Sequence, residues 1–304
     1  MKPCVFIHTN EKQILGALVS EYSFKRFASN PGAFDVRLIE TKSYPWLMQH
    51  EGQTYLRDGL KRAWLNDDLQ SFTVLRFMPP ELMAYRGRSL VVDPDVFCIS
   101  DVQPLLDRDM QGAAILARNR AGTKSRVWAS SVMVLDNAKL THWNVKKNFE
   151  EMFSGDRDYM KWVTLELEPQ SSIRELETFW NDFDKLTEKT RMIHNTKRQT
   201  QPWKTGLPVD FRPPESAKSF KPKNIYHRIR RAIFGDYGML GRYERHPDPN
   251  QERLFFALLK ECVEKGIVTE SMVKDQMKHN HVRHDAIELL KATPTLDERP
   301  LFAA

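Results

Sequence analysis

Residues 90–102 read LVVDPDVFCISDV. An apolar run stops at Asp93 and Asp95, resumes with Val96 to Ile99, and meets a third acid at Asp101. Bare carboxylates at the end of a buried segment cost free energy unless something compensates them. In an extended segment residues i and i+2 point the same way, roughly 6.5–7 Å apart. The two carboxylates therefore reach one cation, or a cation and a hydroxyl. Carboxylate oxygens suit Mg2+ or Mn2+, and such ions usually bridge to substrate phosphates. Pro94 stiffens the turn and removes a backbone donor. A divalent ion carrying a substrate phosphate accounts for the pair. The competing reading is a strand-end turn with both acids in solvent.

The elements that must position this pair alternate along the first two thirds of the chain. CVFIHT (4–9) reads as a short buried strand, and 11–27 as a helix. FDVRLIE (34–40) alternates as a second strand. The spacing of Tyr55, Leu56, Leu60, Ala63 and Trp64 predicts a helix over 51–67. Residues 72–77, 88–93, 112–117 and 130–136 read as further strands. This alternation predicts an α/β domain with a mostly parallel sheet, whose ligands bind at the carboxyl ends of the strands. From Val209 the texture turns to Pro, Lys and Ser, then to helical patterns at 224–238, 250–266 and 269–292. The expected division is an α/β domain at 1–208 and a linker plus helical C-terminal region at 209–304.

The bulk composition narrows the classes. The chain has 304 residues and a formal net charge of +6, too modest for a dedicated nucleic-acid binder, so no nucleic-acid partner is expected. Its three cysteines form no CxxC pair, which argues for a reducing compartment and against a disulfide scaffold or a zinc site. The N-terminus turns polar after Ile7, and no run of about 18 apolar residues occurs. A cytoplasmic chain is expected. Residues 218–231, KSFKPKNIYHRIRR, concentrate Lys and Arg without an acid. They read either as a solvated basic face or as a peripheral contact with an anionic membrane at its inner face. HNHVRHD (279–285) gathers three histidines without the spacing of a helical zinc pair and reads as a helix junction.

At this point the residues carry a family resemblance. RSLVVDPDVFCISDVQPLL resembles the aspartate-x-aspartate segment of GT-A fold glycosyltransferases, most closely family 8 and its relatives. WASSVMVLDNAKL (128–140), LETFWNDFD (176–184) and MIHNTKRQTQPWK (192–204) are similar to three further segments of that family, in the same order. The resemblance spans roughly residues 3–205. It implies a Rossmann-like GT-A domain over 1–208 and a metal-dependent transfer of a sugar from a nucleoside-diphosphate sugar to an acceptor hydroxyl, with retention of configuration. It also implies that Asp93, Asp95 and His194 hold Mn2+ or Mg2+, with Asp93 contacting the ribose as well. Lys197, Arg198 and Lys204 are then the cations for the leaving diphosphate, and Trp203 closes the donor site. His8, Thr9 and Asn10 fall where the family binds base and ribose. Thr9 or Asn10 serves equally as a helix N-cap. Asp158 falls where an acid orients the donor sugar, or acts as a first-turn acid on a helix dipole.

The chain also departs from the pattern. The glycine after the histidine is absent, two polar residues precede Pro202-Trp203, and Ala129-Ser130-Ser131 replaces the usual asparagine-containing triplet. A sugar nucleotidyltransferase is a rival reading, but HTNEKQILGA lacks the glycine-rich loop that chemistry wants. A non-catalytic nucleotide-sugar or phosphate-binding protein on the same fold is the other.

Overall fold

The computed structural model describes residues 1–68, 71–120, 127–211 and 241–302, with a few single residues between 222 and 233. Most of the basic stretch 218–231, and with it the membrane-contact expectation, lies outside the described residues.

Every residue of β1 (Cys4–Thr9) is buried, so the strand runs through the middle of the molecule. It pairs in parallel with β2 (Asp35–Glu40) on one side and β5 (Arg88–Val92) on the other. β8 (Trp128–Asp136) adds to β5 antiparallel, β7 (Ile115–Asn119) adds to β8 antiparallel, and β9 (Ile173–Glu175) adds to β7 in parallel. The order is β2-β1-β5-β8-β7-β9, with β8 alone running against the rest. The α/β fold with a mostly parallel sheet is therefore present. A second sheet of β6 (Val96–Cys98), β11 (Met192–His194) and β10 (Asp182–Phe183) stands at the carboxyl end of β5.

Two expected elements are different. Residues 51–67 form no helix but a hairpin of β3 (Thr54–Arg57) and β4 (Leu60–Ala63). Asp58 and Gly59 turn it with φ of 54° and 69°, the left-handed pair that a two-residue Asp-Gly loop favours. Tyr55 and Trp64, which looked like one helix face, meet edge to face across it at 5.5 Å. Residues 72–77 form no strand either; Thr73–Phe77 is a buried 3-10 helix. A short apolar run buried on all sides carries no periodicity that separates strand from helix. Phe77 stacks on Trp162 at 4.8 Å, which fixes the segment under the sheet.

The C-terminal helices are built into the domain. Pro249–Glu264 packs on α1 (Ile14–Arg26), and one apolar cluster joins Leu15 and Val19 of α1, Phe97, Ile193 and Trp203 to Phe255. Glu270–Lys278 and Ala286–Ala292 complete it. Thr269 caps the first of these two by accepting from the Met272 N–H. Cys4, Cys98 and Cys262 are free and buried. Among the described residues no helix is long and apolar enough to cross a membrane.

One contact ties this packing to the acidic pair. A Cβ on Gly16 of α1 would stand 2.9 Å from the Pro94 carbonyl oxygen. The glycine lets the helix backbone press directly on the Asp93-Pro94-Asp95 turn. Gly16→Ala gains about 1 kcal/mol of helix propensity, yet it is expected to destabilise the chain by about 1–3 kcal/mol through overpacking. Chemical denaturation of the two proteins measures the difference. A more stable alanine variant would mean the contact relaxes freely.

Candidate functional site

Strand pairing brings the three candidate ligands together. Ile7 and Val92 are partners across β1 and β5, so the next residues, His8 and Asp93, emerge side by side. β11 runs antiparallel to β6 with His194 opposite Val96, and the Asn195 N–H donates to the Asp95 carbonyl. His194 thus returns from about one hundred residues downstream to the acidic turn. Its Nε2 lies 3.3 Å from Asp95 Oδ1 and 3.9 Å from Asp93 Oδ2. One ligating atom from each of the three residues lies within 4.8 Å of the others. The side chains are 17%, 15% and 7% exposed, so the corner opens only on one side.

The surrounding contacts orient each member. Arg76 donates to Asp93 Oδ1 at 2.7 Å and to Ser130 Oγ at 2.6 Å. His8 Nε2 also approaches Asp93 Oδ1 at 3.1 Å, without the alignment of a hydrogen bond. One oxygen of Asp93 is thereby occupied, and Oδ2 is left facing His194. Gln201 donates to Asp95 Oδ2 at 3.0 Å, which leaves Oδ1 facing the same point. Asn181 Oδ1 lies 3.0 Å from His194 Nδ1, while its amide donates to Ser131 Oγ at 3.1 Å. That orientation makes Nδ1 the protonated nitrogen and turns the Nε2 lone pair toward the carboxylates. Outer partners of this kind are what fix a histidine for metal ligation. Two carboxylate oxygens and one imidazole nitrogen suit Mn2+ or Mg2+ and leave coordination positions for phosphate oxygens.

The electrostatics follow from burial and neighbours. Burial alone would raise the Asp93 carboxyl, but the Arg76 charge, with His8 and His194, holds it well below the usual carboxylate range. Burial pushes His8 below its ordinary value, against the pull of Asp93. Burial would lower His194 too; the charge of Asp95 outweighs this and raises it above 6.5.

A cleft of about 270 Å³ opens over this corner, walled by Ser130, Ser131, Trp128, Tyr159 and Phe183. Of the remaining expected residues, Arg198 lines it. Lys197 is exposed outside the lining, with its N–H on the Asp184 carboxylate. Lys204 is fully buried and pairs with Asp210 at 2.7 Å, a carboxylate that Tyr243 also holds. Trp203 is 1% exposed and stacks on Phe255 at 4.8 Å, as core rather than cleft wall. His8, Thr9 and Asn10 are buried behind the lining, and Asn10 caps Glu11–Gln13 without a side-chain bond. Asp158 lies outside the lining as well. It caps α5 (Tyr159–Val163), accepting from the N–H groups of Met160 and Lys161, and Gly59 donates to its other oxygen at 2.8 Å.

Arg76, Asn181 and Gln201, which orient the three candidate ligands, are the candidate-site residues that the sequence reading did not single out. Arg76 was the lone charge in an apolar run, and that isolation was its signal. Asn181 stood inside the segment LETFWNDFD without a role of its own.

No protein-family model and no curated protein matches the chain. Solved structures do. A galactosyltransferase, LgtC, in complex with donor and acceptor sugar analogs is 12% identical, with a TM-score of 0.45 over 66% of this chain and 89% of that one. The apo form of the glycosyltransferase GlyE of Streptococcus pneumoniae TIGR4 is 12% identical, with a TM-score of 0.48 over 88% and 64%. Mouse xyloside xylosyltransferase 1 is 12% identical, with a TM-score of 0.42 over 65% and 98%. Likenesses this distant leave the activity to be argued from the site itself.

Two outcomes follow from the geometry. Asn181→Ala should weaken Mn2+ binding about 10–100-fold while the fold persists, as calorimetric titration and circular dichroism would show. The pH dependence has a definite sign. In the metal-free chain protonated His194 contributes stability below its unfolded value, and that contribution is lost as pH rises through the raised one. An ion must displace that proton, so Mn2+ affinity should fall as pH drops through the raised value of His194. An affinity independent of pH across this window would remove His194 from the ligand set.

Proposed function

We propose that this chain is a metal-dependent glycosyltransferase, moving a sugar from a nucleoside-diphosphate sugar to an acceptor hydroxyl. The convergence of Asp93, Asp95 and His194 on one point, within 4.8 Å, carries the reading. It joins residues that the sequence resemblance had picked out from separate segments. A bound Mn2+ or Mg2+ supplies charge neutralisation at the diphosphate and so makes it a better leaving group.

The protein's own residues divide the rest of the work. Arg76 holds Asp93 in one rotamer, and Asn181 holds His194 in one tautomer. Arg198 lines the same cleft and offers a preorganised cation where the leaving diphosphate gains negative charge. Such fixed charges at developing charge are the largest single contribution a site of this kind makes. Asp93 and Asp95 are the only carboxylates among the described lining residues, and both would hold the ion. Retention of configuration, which the sequence resemblance implies, belongs to this proposal, with the departing diphosphate as the base for the incoming hydroxyl on the same face of the sugar. So does a cytoplasmic location, which three free buried cysteines favour.

A thermal-shift screen of UDP-, GDP-, ADP- and CDP-sugars with and without Mn2+ tests the reading. One nucleotide should stabilise the chain only with metal. At a hundred times the dissociation constant the gain is about 2.7 kcal/mol, on the order of 5 °C for a protein of this size. Asp95→Ala should abolish it. Stabilisation without sugar release in the presence of any acceptor would favour a non-catalytic binding protein. No metal-dependent shift with any nucleotide would sink both.

A further inference from the structure

The cleft carries more positive charge than a nucleotide sugar consumes. Four guanidinium groups line it, from Arg57, Arg76, Arg120 and Arg198, against the carboxylates of Asp93 and Asp95. A divalent ion and a diphosphate cancel each other. With both bound, two cations remain without a counter-charge.

The contacts show which two. Arg76 is committed to Asp93 and Ser130. Arg198 stands beside Thr196 and Gln201, on the His194 side where a diphosphate would lie. Arg57 and Arg120 remain. Among the described residues neither forms an ion pair, and Asp68 attracts Arg57 only from beyond ion-pair distance. Arg57 is half-buried, and its guanidinium lies over the Tyr159 ring, 4.6 Å from the centroid. It donates to the Tyr55 hydroxyl at 3.3 Å. The stack holds the plane of the group and leaves further N–H donors open to a ligand. Its strand is also fastened: Gly59, at the tip of the hairpin, donates to the Asp158 carboxylate that caps α5. Arg120 follows the last residue of β7, exposed at the cleft rim beside Trp128. Tyr159 is buried beneath Arg57, and the half-buried Trp128 gives this end an aromatic wall of the kind a sugar ring packs on.

Electrostatic steering of a nucleotide would be served by exposed cations alone. A half-buried arginine lying over a ring, with no ion-pair partner and with Asp68 only at longer range, has lost part of its hydration, a cost that a docked anion offsets. Planar guanidinium groups match the two-oxygen face of a phosphate or a carboxylate. We propose that the acceptor is an anionic saccharide, whose phosphomonoester or carboxylate is held by Arg57 and Arg120 while its ring rests against Trp128. This rests on the glycosyltransferase reading. It makes Asp158 a positioning residue for the acceptor, acting through the hairpin.

Calorimetric titration of the full chain tests it, with glucose 6-phosphate, glucuronate and glucose as probes. Each is titrated into the chain alone and into the chain carrying Mn2+ and the nucleotide that scores in the thermal screen. At least one charged sugar should bind about tenfold or more tighter than glucose. The phosphate and carboxylate arms tell which group the site takes. Arg57→Gln and Arg120→Gln should each erase most of that preference, with the dissociation constant of the Mn2+-nucleotide pair unchanged. Equal binding of charged and neutral sugars overturns the proposal, as does no measurable binding of either charged sugar. Loss of nucleotide affinity in the two variants, with charged-sugar binding intact, overturns it too and assigns the arginines to the donor. Absence of any nucleotide binding in the parent chain is a separate result, which removes the functional reading but is measured independently of the sugar titrations.

Discussion

Two carboxylates that share one buried corner repel each other, and much of the architecture around Asp93 and Asp95 serves to hold them there. At the spacing of the ligand set, 4.8 Å at most, that repulsion is on the order of 3 kcal/mol at an effective dielectric of about 20. It is a sizeable fraction of the stability of an ordinary domain. The fold answers it asymmetrically. Asp93 receives the full charge of Arg76 and the approach of the His8 ring, both on one oxygen. Asp95 receives a neutral amide from Gln201 on one oxygen and His194 near the other. Each acid is tethered by one oxygen, and the free oxygens point at the same place. A pair neutralised on all four oxygens would be more stable and would bind nothing.

That asymmetry depends on distant segments arriving in register. Asp93 and Asp95 are local, but Arg76 comes from the 3-10 helix before β5, and His194 from a strand that pairs with β6 in the opposite direction. A slip of one residue between β11 and β6 would turn His194 away from the carboxylates, because side chains alternate faces along a strand. The pairing is held from behind by Met192, Ile193 and Phe97, which bury into two separate cores. Site geometry and core packing are therefore fixed by the same residues, and Gly16 pressed against Pro94 adds a third constraint from α1.

The parts of this arrangement that could be read from the sequence are those written in local pattern. An apolar run closed by two acids marks a strand end, and the run CVFIHT marks the central strand. The histidine of MIHN was reachable through resemblance to a family, not through spacing. What failed was physically ambiguous. Residues 51–67 have helical spacing, but an Asp-Gly pair in the middle overrides it, since left-handed φ at two successive residues closes a hairpin. Residues 72–77 are buried on every side, and a run of that kind has no face to betray its period. Arg76 was hidden by that misreading. Trp203 and Lys204 sat in a motif that resembles an active-site closure. Both are instead buried, because a tryptophan with two phenylalanines at hand gains more from the core than from a cleft wall.

That last displacement gives the C-terminal helices a purpose. The loop 195–204 has two sides. Toward the cleft it presents Thr196, Arg198 and Gln201. Toward the protein it is anchored by Trp203 on Phe255, by Lys204 on Asp210, and by Arg283, whose N–H donates to the Trp203 carbonyl at 2.8 Å. Gln251 of the helix Pro249–Glu264 accepts from Asn195 and donates to the Asp184 carbonyl at 2.9 Å. Asp184 in turn accepts the N–H of Lys197. The helices thus grip both ends of a loop whose other face carries a cleft-facing cation and the amide on Asp95. A loop of this composition, polar and shaped only by the single 3-10 turns Arg198–Thr200 and Pro202–Lys204, would otherwise sample many conformations at a cost of about 1–2 kcal/mol for each residue ordered on binding. Spending that ordering on the folded core, before any substrate arrives, is what a preorganised site requires. The region that looked like an appendage in the sequence is in this sense the back wall of the cleft.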